Sequence, residues 1–475
     1  MNREKITALH SRYNPQAEAE RYIASLSLNE KIRFFILIEP GLGYMIAPLK
    51  KRIPTAKIIA LHAEEDHSNN HLVQAVTDHP DAQWYPGRGI TIRDFLENEI
   101  PDSQAEEIRI LEWRPALAVY GSSYLALVEQ TVEFIKQMDA NTRTFKALGG
   151  KWFKNFFKNL SIIRKVFRPV TLSMPLLVSG AGPGLEDSIP LIREKKLNGS
   201  LFILAVSSSV AALEAEGIAP DMVISTDGGN WAAFHLFECL RGKPLSGDTP
   251  GNTRPCPLAA AMTAALPSQC TDLPVLPISD GSLWQTLILK GLNIPFVVLP
   301  QRGTVSAAAL DLAFALTSGD IFITGLDLAN RDIRSHARPY SLDRFIDEKK
   351  SRLNPLYSQT YRRSSLLKAG GSYGIYASWF EKQLSSYPRR LFSLRGNNPL
   401  FKSLESSPSA MLLETKTTKE SPVQFETFNL EFNGNPSQEA YSILEKALKD
   451  PVLSVTLEKE LGPIVSQGGG SLSHG

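Results

Sequence analysis

The sequence predicts an α/β protein built from two parallel-sheet domains. Two observations carry this. Residues 31–66, KIRFFILIEPGLGYMIAPLKKRIPTAKIIALHAEED, read as strand, glycine turn, helix, strand: one βαβ unit. From Met174 onward, short apolar runs again alternate with helical stretches, and each run ends in small, hydroxylated or acidic residues. Strands alternating with helices imply a parallel sheet covered on both faces.

The expected organisation follows. Residues 1–144 form a Rossmann-like domain, 145–172 a connector, and 173–400 a second α/β domain. Residues 401–475 are a mostly irregular segment ending in a disordered Gly/Ser tail. In the first domain, Phe34 to Ile38 and Ile58 to Leu61 are the strands, and Gly41-Leu42-Gly43 is the turn between strand and helix. That GxG reads as an ordinary structural turn, with a nucleotide loop as the alternative. The connector, FKALGGKWFKNFFKNLSIIRKVFRPV, interleaves basic and aromatic residues. Such a stretch can bind an anionic surface, but the simpler reading is a helix that docks its aromatics and solvates its lysines. The formal net charge of +2 gives a nucleic-acid partner no support.

Composition narrows the class further. Hydrophobic content of 43% and charged content of 21% are those of an ordinary globular protein. No apolar run is long enough for a membrane span. The three cysteines lack metal-type spacing, so a reducing cytoplasm is the expected location.

The second domain begins with LLVSGAGPGLEDSIPLI at Leu176. A strand runs into Gly180, Gly182, Pro183 and Gly184, and then into a helix with Glu186 and Asp187 in its first turn. Glycines expose backbone N–H groups, and a helix start favours negative charge, so this is either a phosphate cradle or a tight turn. If it is a cradle, a branched side chain at Gly182 blocks ligand approach and leaves the fold largely intact. Later strands deliver Ser207 and Ser208, then Asp227, then Gly303, Thr304 and Ser306 at a helix start, then Asp327, with His336 nine residues on. Ligands of open parallel sheets bind at the strands' carboxyl ends. Asp327 and His336 there suit acid/base work, or equally a capping carboxylate and a solvated imidazole.

These residues carry a family resemblance. GAGPGL, PDMVISTDGG and GTVSAAALDLAFALTSGDIFITGLDLA, with Ser335-His336-Ala337 beyond, resemble the central domain of the motility-associated factor (Maf) flagellin glycosyltransferases. The same core is similar to bacterial sialyltransferases (GT-A-like) and to the 6-hydroxymethylpterin diphosphokinase MptE-like domain. Residues 36–66 resemble the Rossmann-like N-terminal domain of Maf proteins. The resemblance implies transfer of a nonulosonic, sialic-acid-like sugar from CMP to a Ser/Thr hydroxyl of flagellin or another protein, with no metal or other cofactor. It assigns the phosphate to Gly180, Gly182, Pro183 and Gly184, and the ribose and base to Ser207, Ser208 and Asp227. Gly303, Thr304 and Ser306 receive the nucleotide or the sugar carboxylate. Asp327 orients the site, and His336 deprotonates the acceptor. Should His336 be remote, Tyr340 or Tyr373 is next in line to touch the leaving phosphate.

Three departures stand out. Gly184 replaces the family's Ser, Leu326 its Gln and Gly228 its Pro, which implies a less polar pocket. Two other functions remain open: a Mg-ATP-dependent diphosphokinase of a pterin-like alcohol, with Asp227 and Asp327 as the metal pair, and a non-catalytic motility or envelope factor.

Overall fold

The computed structural model describes residues 9–64, 79–100, 102–240, 256–331, 334–359, 361–362, 376–377, 380, 390–394, 423 and 425–465. The chain divides into two units, Met1–Gly149 and Gly150–Gly475. The division falls inside one helix, Ser122–Ile162. The expected connector is therefore the end of a long helix followed by a short strand, Lys165–Phe167.

In the first unit, β1 (Phe34–Ile38), β2 (Lys57–Leu61), β3 (Ala82–Trp84) and β4 (Ile108–Glu112) form a sheet in the order β3-β2-β1-β4. All three pairings are parallel. Every residue of β1 is buried, as its unbroken apolar run requires. The GxG turn has positive φ at Gly41 (61°) and Gly43 (82°). Its concavity is filled from within: the His10 imidazole lies against Gly41, and its Nε2 accepts the Leu42 N–H at 3.0 Å.

Burial pushes the His10 imidazole down to about 4 from its ordinary 6.5, against a smaller opposing pull from the Glu39 charge. Between those values the unfolded chain binds the extra proton and the folded chain does not, so stability falls as pH drops. From neutral pH to about pH 4 the loss assigned to this residue is about 3 kcal/mol. His10→Gln is neutral throughout and is expected to lack that component. Urea unfolding of both proteins at the two pH values checks it; parallel pH curves would remove His10 as the cause.

The second unit holds a 10-stranded sheet. In chain order its strands are β5 (Lys165–Phe167), β6 (Leu176–Ser179), β7 (Phe202–Val206), β8 (Met222–Ser225) and β9 (Leu258–Ala261). They continue with β10 (Pro274–Ser279), β11 (Val297–Val298), β12 (Ile321–Thr324), β13 (Leu391–Ser393) and β14 (Thr427–Asn429). The order is β13-β12-β6-β7-β8-β9-β10-β5-β14, with β11 beside β10. The strands starting near residues 176, 201 and 221 are adjacent and parallel, as expected. Among the described strands only β14 runs antiparallel. From β6 the chain steps outward to β10 on one side and to β12 and β13 on the other, so the direction reverses between β6 and β12. In open α/β sheets, such a reversal opens the ligand crevice.

The helix Val305–Leu316 packs across β6, β7 and β8. Its alanines 307, 308, 309 and 313 are buried and let it approach closely.

One expectation is refined. Among its described residues, the C-terminal segment carries β14 and helices Pro436–Leu448 and Pro451–Val465. The first starts at an Asn435 cap and buries Pro436, Ala440, Leu444 and Ala447 along one stripe. Ile443 seats on Gly291 at the end of helix Leu283–Gly291. At that helix's other end, Glu460 accepts the N–H groups of Leu283 and Trp284 at 2.9 and 3.1 Å. Burial raises the Glu460 carboxyl above its ordinary range, against those two hydrogen bonds. The proposed Gly/Ser tail, 466–475, lies outside the described residues.

Candidate functional site

The glycine loop after β6 meets the end of β12 backbone to backbone. A Cβ on Gly180 would fall inside 3.0 Å of the Gly325 carbonyl, and one on Gly325 inside 3.0 Å of the Gly180 carbonyl. Neither position accepts a side chain. A Cβ on Gly182 would run into the Asp327 carboxylate.

Three of the loop's N–H groups are spent inside the protein. Gly180 donates to Thr324 O at 2.8 Å, Gly182 to Gly325 O at 2.6 Å, and Gly184 to Asp327 Oδ2 at 2.6 Å. Asp327 is buried and tethers the start of helix Leu185–Leu197. These donors are therefore not offered to a phosphate, and the nearby carboxylate disfavours one. Gly184, where the resembling family has Ser, presents this N–H to Asp327. Leu326, where the family has Gln, is 3% exposed and belongs to the hydrophobic core.

The acids at the helix start have partners. Arg331 forks onto Asp187, with one bond of 2.9 Å, and Arg334 reaches Glu186 at 3.1 Å. The Arg338 N–H donates to Glu186 at 3.0 Å, and the Ala337 N–H to Ala181 O at 2.8 Å. Residues on both sides of His336 are thus fastened to the glycine loop and its helix. The His336 ring stacks on Tyr340, with centroids 4.1 Å apart and planes 10° from parallel. Its Nδ1 lies 2.9 Å from Ser335 Oγ. The Tyr340 hydroxyl is 3.5 Å from His235 Nε2. His235 escaped the sequence reading because a His inside an apolar helix, AAFHLFECL, carries no spacing signal.

The other strand ends converge from the same edge. Ser207 is buried and Ser208 half-buried in a short turn after β7. Ser209 ties that turn to the glycine loop by donating to Ser179 O at 3.1 Å. Asp227, past β8, is exposed and accepts the Gly229 N–H at 2.7 Å. Gly303 has φ 73° and lies against the Tyr376 ring. Burial first, and the Asp227 charge second, raise the Tyr376 hydroxyl above its ordinary range. Thr304 caps the helix behind it, its Oγ1 accepting the Ala307 N–H at 3.0 Å, while Ser306 is half-buried in the first turn. Tyr373 lies outside the described residues.

The connector helix supplies residues the sequence reading missed. Asn155 Nδ2 donates to Gly228 O at 3.2 Å and to Thr263 O at 3.0 Å. Asn159, wholly buried, donates to Met262 O and Ala264 O at 2.9 and 2.8 Å. Trp152 fills the space a Cβ on Gly228 would need, which accounts for glycine there in place of the family's proline. The aromatics dock as expected: Phe153 and Phe156 on Trp284, and Phe157 on Tyr441. Asn155→Ala removes two bonds to backbone carbonyls and frees the Asp227 loop. If that loop holds a ligand, binding is expected to weaken by roughly 5–30-fold, from two bonds of about 0.5–1 kcal/mol each. Calorimetry with CMP measures this; unchanged affinity would separate the loop from the ligand.

Residues 151–252 match the family model of the 6-hydroxymethylpterin diphosphokinase MptE-like proteins. That segment holds the glycine loop, the serine turn and Asp227, so the MptE-like resemblance of these motifs stands. Two uncharacterized proteins of Treponema pallidum (strain Nichols) are relatives. One is 26% identical over 292 residues, 61% of this chain and 60% of its own. The other is 25% identical over 372 residues, 74% of this chain and 61% of its own. The chain thus spans about 60% of the length of the curated relatives it matches. Among solved structures, a Maf glycosyltransferase from Magnetospirillum magneticum AMB-1 is similar over 98% of this chain and 83% of its own, at a TM-score of 0.44 and 12% identity. No described helix is long and apolar enough to cross a membrane.

Proposed function

We propose that the second unit is a glycosyltransferase moving a nonulosonic sugar from CMP to a serine or threonine hydroxyl of an acceptor protein, flagellin being the acceptor its motifs imply. One observation supports the reading: Arg331, Arg334, Ala337 and Arg338 are latched onto the glycine loop and its helix beside the sheet's reversal point, on both sides of His336.

The reaction then runs as follows. The acceptor O–H gives its proton to a ring nitrogen of His336. Its oxygen forms a bond to the anomeric carbon, and the bond from that carbon to the phosphate oxygen breaks, CMP leaving with the electron pair. In the tautomer whose Nδ1–H donates to Ser335 Oγ, Nε2 is the proton acceptor. The N–H groups of Gly180, Gly182 and Gly184 are occupied, so the leaving phosphate draws its main stabilisation from elsewhere. The Thr304 and Ser306 hydroxyls and the first turn of helix Val305–Leu316 supply donors and a favourable dipole. Ser207, Ser208 and Asp227 hold the nucleoside. No metal is needed in this scheme.

The MptE-like match favours a second reading, diphosphoryl transfer from Mg-ATP to a pterin-like alcohol. Strand spacing weighs against its simplest form. Asp327 projects from β12 and folds back onto the loop of β6, while Asp227 follows β8. The two lie two to three strand spacings apart, roughly 10–14 Å. One Mg²⁺ ligated by both would need their oxygens within about 4 Å.

Thermal shift separates the readings. CMP is expected to raise the melting temperature more than ATP does, with or without Mg²⁺. A larger shift with ATP that depends on Mg²⁺ would favour the diphosphokinase, and no shift with either would favour a non-catalytic protein.

A further inference from the structure

Of residues 334–349, the stretch that carries His336, only Ala337 and Tyr340 are buried. Ala337 serves the latch through its backbone. Tyr340 is held at both ends. The Tyr340 N–H donates to Asp343 Oδ2 at 3.1 Å, and the Asp343 N–H donates back to the Tyr340 carbonyl at 2.8 Å. At the far end of the side chain, the hydroxyl meets His235 Nε2 at 3.5 Å. A ring fixed at backbone and hydroxyl loses the swing about χ1 that a surface tyrosine keeps. Its flat face is the platform on which the His336 ring lies, with planes 10° from parallel.

His235 belongs to helix Ala232–Leu240, which follows β8. Burying an imidazole in so apolar a helix costs free energy unless a partner meets it. The same helix receives Phe345, whose ring stands edge-on to Phe234 at 4.6 Å, while Trp231 just before the helix meets it at 5.3 Å. Tyr340 and Phe345 thus dock on one element, which keeps His235 opposite the hydroxyl. A loop histidine otherwise samples several rotamers, and few of them aim Nε2 at an acceptor hydroxyl. The stack sets the plane of the His336 ring, and the Ser335 hydroxyl, 2.9 Å from Nδ1, sets its rotation within that plane.

We propose that His235 is a positioning residue for the transfer: it anchors the Tyr340 hydroxyl, and the anchored ring fixes the plane of His336. His235 acts only through Tyr340. The proposal rests on the glycosyltransferase reading for the proton that His336 takes, but not for the contacts themselves.

Carbon-13 labelling of histidine reads the geometry without any ligand. At about pH 8.5 the imidazoles are neutral, and the ring current of Tyr340 is expected to hold the His336 Cε1–H signal upfield of an exposed histidine. Its absence from His336→Phe assigns the signal. His235→Leu keeps apolar bulk and removes the anchor, and is expected to move the signal toward the unstacked position. Tyr340→Phe removes the other half of the contact and is expected to move it equally, with no further change in the double variant. His235→Gln, whose amide replaces the anchoring nitrogen, is expected to restore most of the stacked position. A His336 signal unmoved by either His235→Leu or Tyr340→Phe would overturn the proposal, and the second variant decides alone if the first fails to fold.

With a CMP-sugar, His235→Leu is expected to slow single-turnover transfer roughly 5–10-fold, the worth of one hydrogen bond, at unchanged CMP affinity. Wild-type rate in that variant would also overturn the proposal. If the signal moves as expected and the wild type transfers nothing from CMP-sugars, the anchor stands and the donor reading falls.

Discussion

His336→Ala is expected to bind CMP as the wild type does and to transfer sugar roughly 10²–10⁴-fold more slowly, the usual worth of a positioned base. The split between binding and rate is what distinguishes a base from a structural residue. His336 stacks on Tyr340, so its loss also removes a ring contact. His336→Phe keeps a ring in the stack without a basic nitrogen, and is expected to be as slow as the alanine variant while melting closer to wild type. Recovery of rate in His336→Phe would mean that the ring only props the latch. Single-turnover transfer from CMP-sugar, alongside calorimetric CMP affinity, gives both quantities.

The second large effect falls on stability. Gly180→Val puts two methyl groups where the Gly325 backbone already lies. Backbone on both sides leaves nothing flexible to yield, so the loop and the end of β12 must separate. The expected cost is roughly 3 kcal/mol or more, above the usual range for overpacking. Chemical denaturation should show a lower midpoint for the second unit's transition. A midpoint within error of wild type would mean the two turns can part cheaply. The same contact corrects the simpler expectation for Gly182. A valine there collides with the Asp327 carboxylate, so lost ligand binding in that variant would not by itself reveal a ligand.

How far the fold was legible depended on each element's neighbours. Strands β6, β7, β8 and β12 are buried through their length, so their unbroken apolar runs announce them. Strand β9, Leu258–Ala261, reads LAAA and favours a helix by composition; only its place between β8 and β10 makes it a strand. The run around Val297 promises a full strand but pairs over only two residues. The C-terminal helices bury a narrow stripe against a partner helix, and a stripe in an otherwise polar segment is a weak signal.

The candidate site was legible as a set of strand ends, because the parallel sheet sends them all to one edge. What the residues do there was less so. Glycines 180, 182 and 184 look the same in sequence whether they make room for a phosphate or for another part of the chain. The occupants, Gly325 and Asp327, lie more than a hundred residues away. Asn155 and Asn159 were hidden for a related reason: their partners are backbone carbonyls, which leave no trace in residue identity.

The facing pair Gly180 and Gly325 also limits how this sequence can drift. Each is excluded from gaining a side chain by the other's main chain, not by a neighbour that could shrink in compensation. No second-site change of residue type can make room, since every residue carries the same carbonyl. Alanine at either position demands that a whole turn be rebuilt, by insertion or deletion rather than by substitution. Among descendants of this chain, the two glycines should therefore persist together even where His336 has been lost, and should disappear together only where the loop lengths change.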